Sequence, residues 1–206
     1  MKLLIGVPSI DYQHSEFVKS LVGLVMKLKE DGIDFDVDIE AGTLVYLARN
    51  RITCKAINEK YTHVLWLDSD MVFTPDLLDD LMFSGKPFVT GIAASRRPGY
   101  QTCLFSDLDL NHLTRFEEIP KNTFEVEGCG FACVLIETSI LEAVQKESYG
   151  AFTPMKEYGE DLAFCLRAKR MGFKIWAEPG ARLGHVGHVV IYPEERERWL
   201  RDYGNT

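Results

Sequence analysis

In VLWLDSDMVFTP (residues 64–75), four apolar residues run straight into Asp68-Ser69-Asp70. Side chains two apart on an extended segment point the same way, so these carboxylates can share one divalent cation. Oxygen ligands suit Mg2+ or Mn2+, which keep several waters and accept substrate phosphates. The same tripeptide is also ordinary capping material for a helix opened by Pro75. A second acidic pair, Glu160 and Asp161, follows Gly159 at the start of a helical run. Acids there are favoured by the helix dipole, and a carboxylate presented beside a glycine hinge can also act as a general base. A third group is LGHVGHVV, where His185 and His188 lie three apart among glycines. An imidazole ligand would tilt the metal from Mg2+ toward Mn2+.

These groups need a scaffold. KLLIGVPS and HVLWLD are continuous apolar runs, as expected of strands covered on both faces. HSEFVKSLVGLVMKLKEDG carries apolar residues at helical spacing and stops at Gly32, and TLVYLARNRITCKAINEKY returns to that period. FDVDIE alternates, PDLLDDLMFSG reads as a short helix closed by Gly85, and PFVTGIAA as a further strand. Strand and helix thus alternate over about 95 residues, which predicts βαβ units around a mostly parallel sheet flanked by helices. Residues 96–125 read as turns. Beyond them come a glycine-rich loop, strand and helix (GCGFACVLIETSILEAV), the acidic helix, a strand with loop, and a final helix in PEERERWLRDYG. With no repeat or linker, the expectation is one domain over 1–206, with halves 1–95 and 96–206. Trp66 and Trp176 read as core, and Trp199 as a packing anchor.

Composition narrows the partners. The chain has 23 Lys and Arg against 31 Asp and Glu, a net charge of −8. That argues against nucleic acid held through phosphate contacts and against a polybasic membrane patch. No apolar run reaches the ~18 residues of a membrane span. Five cysteines, an odd number without a CxxC pair, read as reduced packing residues in a cytoplasmic setting, with zinc at Cys129 and Cys133 as a second option.

In this order the pieces resemble the GT-A-type nucleotide-sugar glycosyltransferases, especially family-2-like enzymes and their bacterial and phage relatives. IGVPS is similar to the opening donor-site strand, LARNRITCKAI to the helix bearing an Arg-Asn pair, and LDSDMVFTP to the DxD segment. GCGFACVLIETSIL resembles the acceptor-side segment, YGEDLAFCLRAKRMGFKIW the helix that provides the catalytic base, and HVGH the late histidine of the metal site. The chain departs from the pattern after the second strand, where many relatives have a VDDGS-like stretch and this one has VDIEAGTL. There the acid for the base is Asp38 or Glu40.

The resemblance implies a GT-A, Rossmann-like fold and hexosyl transfer from a nucleoside-diphosphate sugar, expected to be a UDP-sugar, to an unknown acceptor on a glycan, lipid or protein. It implies donor contacts at Val7, Pro8, Ser9, Glu40, Arg49, Asn50, Asp68, Ser69 and Arg96, with Arg97 beside the last. Mn2+ or Mg2+ would be held by Asp68, Asp70 and His185 or His188. Asp161 would be the base of an inverting reaction, next to Glu160. Gly128 and Gly130 would let the backbone approach a ligand. The alternatives are a sugar-nucleotidyltransferase, a binding module without turnover, and a purely structural metal site.

Overall fold

The computed structural model describes residues 1–10, 12–96, 100–109 and 112–187. Its elements are β1 (Lys2–Pro8), α1 (Ser15–Glu30), β2 (Asp34–Glu40), α2 (Val45–Asn58), β3 (His63–Leu67), β4 (Met71–Val72), α3 (Leu77–Phe83) and β5 (Phe88–Ile92). They continue with β6 (Leu104–Asp107), β7 (Thr114–Arg115), β8 (Phe124–Val126), β9 (Gly128–Cys129), β10 (Cys133–Glu137), α4 (Thr138–Lys146), α5 (Glu160–Arg170), β11 (Ile175–Arg182) and β12 (Gly184–His185).

Seven strands form one sheet in the order β2-β1-β3-β10-β5-β11-β8. Five of them run one way. β10 is antiparallel to both β3 and β5, and β8 to β11. The mostly parallel α/β expectation holds, and the second half of the sequence threads its strands among those of the first.

Alternation along the strands divides the core in two. Leu4, Val64, Trp66, Phe88, Val134 and Ile136 face a cluster that includes Ile52 and Ala56 of α2, Leu141 of α4 and Phe164 of α5. Leu3, Ile5, Val7, Leu65 and Val89 face Phe17, Leu24 and Leu28 of α1 and Leu77 and Leu81 of α3. Gly6 is a site of close approach. A Cβ there would lie 2.8 Å from Ile52 Cγ2 and 3.2 Å from the Trp66 ring, so its absence lets α2 settle onto the sheet.

Three expectations change. α3 starts at Leu77 behind Asp76, and neither Asp68 nor Asp70 caps it. Residues 96–125, read as turns, instead supply β6 and β7, which join β9 of the glycine-rich stretch in a three-stranded sheet, β7-β6-β9. β4 and β12 pair with each other, Gly184 with Val72 and His185 with Met71. Trp66 is fully buried and Trp176 partly so. The five cysteines are free thiols; Cys129, Cys133 and Cys165 are buried, as packing residues should be, whereas Cys54 is exposed and Cys103 half-buried. Trp199 and the expected final helix lie outside the described residues. Among those described, no helix is long and apolar enough to cross a membrane.

Candidate functional site

A cleft of about 430 Å3 opens beyond the carboxyl ends of β1 and β3. This is where parallel α/β sheets gather ligands, because successive connections leave there in different directions. Pro8 and Ser9 line it from the end of β1, Asp68, Ser69 and Asp70 from the end of β3, and Glu160 and Asp161 from the first turn of α5.

The β4–β12 pairing brings His185 to Asp70. The Val186 amide donates to the Asp70 carbonyl at 2.8 Å, and His185 Nε2 lies 3.4 Å from Asp70 Oδ2. His185 Nδ1 is 2.8 Å from the Ala94 carbonyl oxygen. A carbonyl can only accept, so Nδ1 carries the proton. Nε2 therefore faces Asp70, whose nearby carboxylate favours the protonated ring and holds the imidazole above its usual range; deprotonated, Nε2 offers its lone pair to a cation. This is how metal-binding histidines are commonly oriented. Burial works against the Asp70 carboxylate, but His185 and Arg96 outweigh it and hold its carboxyl below the usual range. Arg96 Nη1 sits 3.0 Å from the same Oδ2. Among the described residues, no set of three or more acidic, histidine or cysteine ligands assembles. Asp70 and His185 nevertheless fit a hard divalent cation that takes its other ligands from water and phosphate.

Asp68 is differently engaged. Its Oδ1 accepts from Arg49 Nη2 at 2.8 Å. Arg49 is 2 % exposed. Its guanidinium carbon lies 5.4 to 5.8 Å from the ring centres of Phe131, Trp66 and Phe152, and its Nε lies 3.7 Å from Glu160 Oε1. The rings and the two carboxylates together compensate a buried cation. Burial raises the Asp68 carboxyl, with help from Asp70 and Glu160, while Arg49 pulls it back.

The Asp161 carboxyl is displaced upward. Burial, then the charge of Glu160, pushes it up to about 6. The Leu162 amide donates to its Oδ1 at 2.7 Å. Its Oδ2 faces Gly130, where an added Cβ would lie 3.6 Å away. Such a Cβ would also come within 3.3 Å of Cys103 Cβ, so the missing side chain keeps space open beside the carboxylate. A carboxyl that titrates near neutrality next to open space is suited to moving a proton.

Other expected residues do not converge. Val7 is fully buried in the α1-facing core. Asn50 turns away, accepting from the Phe152 amide at 2.9 Å through Oδ1. Glu40 pairs with Arg51 at 3.3 Å and Asp38 with Lys55 at 3.2 Å, and neither lines the cleft. His188 and Arg97 lie outside the described residues. Tyr12, His14, Thr43, Cys103 and Phe131 do line it, although nothing in their spacing marked them. The exposure of Tyr12 after a buried strand was the available signal for one of them.

Comparison with known proteins bears on the fold. The family model Anp1 matches residues 34–127, which include β2, α2, the Asp68–Asp70 segment and β5. No curated protein matches the chain. Among solved structures, A197 from STIV is 19% identical with a TM-score of 0.63, over 91% of this chain and 87% of that one. A UDP-glucose pyrophosphorylase complexed with UDP-glucose is 9% identical with a TM-score of 0.54, over 87% and 90%. A Drosophila β-1,4-galactosyltransferase 7 mutant in complex with manganese, UDP-Gal and xylobiose is 11% identical with a TM-score of 0.52, over 96% and 79%. At these identities the likeness is one of fold, and the fold is shared by sugar transferases and nucleotidyltransferases alike. Sheet order and these structural matches show that the chain has the GT-A fold.

Proposed function

We propose that the chain is a metal-dependent glycosyltransferase. It would move a sugar from a nucleoside-diphosphate sugar, with UDP the expected nucleotide, to an acceptor hydroxyl. One observation carries this reading. A carboxyl with a raised pKa, Asp161, and an oxygen–nitrogen donor pair, Asp70 and His185, face one cleft at the carboxyl ends of parallel strands. Residues 1–95 would form the donor half of one domain and 96–206 the acceptor half.

Asp70 and His185 would hold the metal, with Asp68 nearby and already neutralised by Arg49. Bound there, Mn2+ or Mg2+ supplies positive charge that offsets the charge growing on the leaving diphosphate. Arg96 can add a second positive charge on the same side. In the inverting reaction, the bond from the acceptor oxygen to the anomeric carbon forms as the bond to the diphosphate breaks. The diphosphate leaves with the electron pair. Asp161 Oδ2 receives the acceptor proton, while the Leu162 amide fixes the other oxygen. Burial, and after it the charge of Glu160, keeps the pKa of Asp161 high, and Glu160 stands near Arg49. Pro8, Ser9 and Ser69 border the donor side, and exposed Tyr12 offers a face on which a base can stack.

The test is nucleoside-diphosphate release from a panel of NDP-sugars with Mn2+, Mg2+ or EDTA. Metal-dependent turnover of one donor, lost in Asp161→Asn, supports the reading. A folded sample that binds no nucleotide overturns it. The shared fold favours one second reading, a sugar-nucleotidyltransferase. The loop after β1, PSIDYQHSEF, has no Lys or Arg to hold a triphosphate, which weighs against it. Release of pyrophosphate from a nucleoside triphosphate would select that reading instead.

A further inference from the structure

Asp70 Oδ2 faces two partners at once. Arg96 Nη1 is 3.0 Å away and His185 Nε2 is 3.4 Å away. His185 is anchored twice, by its strand pairing with Met71 and through Nδ1 at the Ala94 carbonyl. Arg96 is anchored loosely. It follows the bridge between Ala94 and Thr102 at the end of β5, its side chain is 46% exposed, and among the described residues it also makes a 3.4 Å contact to the Val186 carbonyl. Two of the three groups are therefore fixed in place and the third, a cation, is held at the surface. A divalent cation on Asp70 and His185 needs the carboxylate oxygen that the guanidinium now holds, and like charges cannot share it without cost.

We propose that Arg96 is an exchangeable counter-ion for the Asp70–His185 pair. Without metal it neutralises Asp70. When metal enters, the guanidinium gives up Oδ2 and is free for an anionic ligand of the same cleft, whose planar fork suits a diphosphate. This rests on the reading of Asp70 and His185 as metal ligands. An exposed ion pair is weak, so the barrier Arg96 sets against metal is small, about two- to fivefold in Kd. Its removal has opposite effects in two states. Metal alone binds more tightly, and metal with diphosphate binds less tightly.

The experiment titrates the full chain with Mn2+, reading free Mn2+ by electron paramagnetic resonance, with and without inorganic pyrophosphate. The variants are Arg96→Gln, Arg96→Lys and Asp70→Asn, each checked for an unchanged urea midpoint. Without pyrophosphate, Arg96→Gln is expected to bind Mn2+ about two- to fivefold more tightly than the parent, with Arg96→Lys between them. With pyrophosphate, Arg96→Gln is expected to bind the pair more weakly than the parent. Equal or weaker Mn2+ binding by Arg96→Gln alone, while Asp70→Asn loses it, overturns the exchange and leaves the metal site standing. Unchanged Mn2+ binding in Asp70→Asn overturns both.

Discussion

Asp161 is expected to trade stability for reactivity, and Asp161→Asn measures the trade. The folded carboxyl titrates at about 6 against an ordinary value of 3.8, chiefly because burial disfavours its charge. Above the unfolded pKa the unfolded chain ionises first, so stability is fully present at low pH and is lost as pH rises through about 6. The full penalty is about 3 kcal/mol at 1.36 kcal/mol per unit. Part of it has already accumulated at about pH 5, so the further loss between about pH 5 and about pH 8 is about 1.4 kcal/mol. Asparagine can keep the hydrogen bond from the Leu162 amide but cannot ionise. The variant should therefore gain about 1.4 kcal/mol on the parent over that interval, read by urea denaturation at both pH values. In the same protein, turnover should fall by about 10²–10⁴-fold, and the parent's rising pH–rate limb at about 6 should vanish. A stability difference that does not move with pH would refute the buried carboxyl. A limb that survives in the variant would refute the base.

Other perturbations test the support around it. Arg49→Met should leave Asp68 and Glu160 without their cation. With 32% of the Asp68 side chain exposed to the cleft, the cost should be about 1–2 kcal/mol in urea, below the 3–5 kcal/mol of a fully buried pair. His185→Ala should weaken Mn2+ binding at least about tenfold by calorimetry while costing about 1 kcal/mol of stability in urea, the worth of its bond to the Ala94 carbonyl. Gly6→Ala, which places a Cβ 2.8 Å from Ile52 Cγ2, should cost about 1–3 kcal/mol in urea with nucleotide binding little changed.

Hydrophobic runs and caps made the strands and long helices legible, because burial on both faces leaves continuous apolar stretches. The Asp68–Asp70 segment and the Glu160–Asp161 pair were legible for the same reason, each sitting at the edge of a readable element. The pairing of Arg49 with Asn50 misled. Adjacent residues on a helix lie about 100° apart, so one reaches the cleft while the other turns to the 150–152 loop. Val7 misled through strand alternation, which sends it to the face opposite Gly6. Two-residue strands such as β4 and β12 carry no period, so the pairing that brings His185 to Asp70 was hidden, and only the family resemblance placed the two residues in one site. The reversed direction of β10 was equally hidden, since an apolar strand reads the same either way.

The β4–β12 bridge joins positions more than a hundred residues apart with a handful of backbone bonds. Closing so long a loop carries a large entropic cost, and so few bonds return little of it locally. The bridge should therefore form only once the sheet beneath it has, and open before that sheet does. This makes the Val186 amide, bonded to the Asp70 carbonyl, a clock for the site. In hydrogen exchange it should fall among the faster protected amides, while those of β3 and β10 report global unfolding. Ligands that draw Asp70 and His185 together should slow that one proton most, so the completeness of the site can be timed without following any reaction.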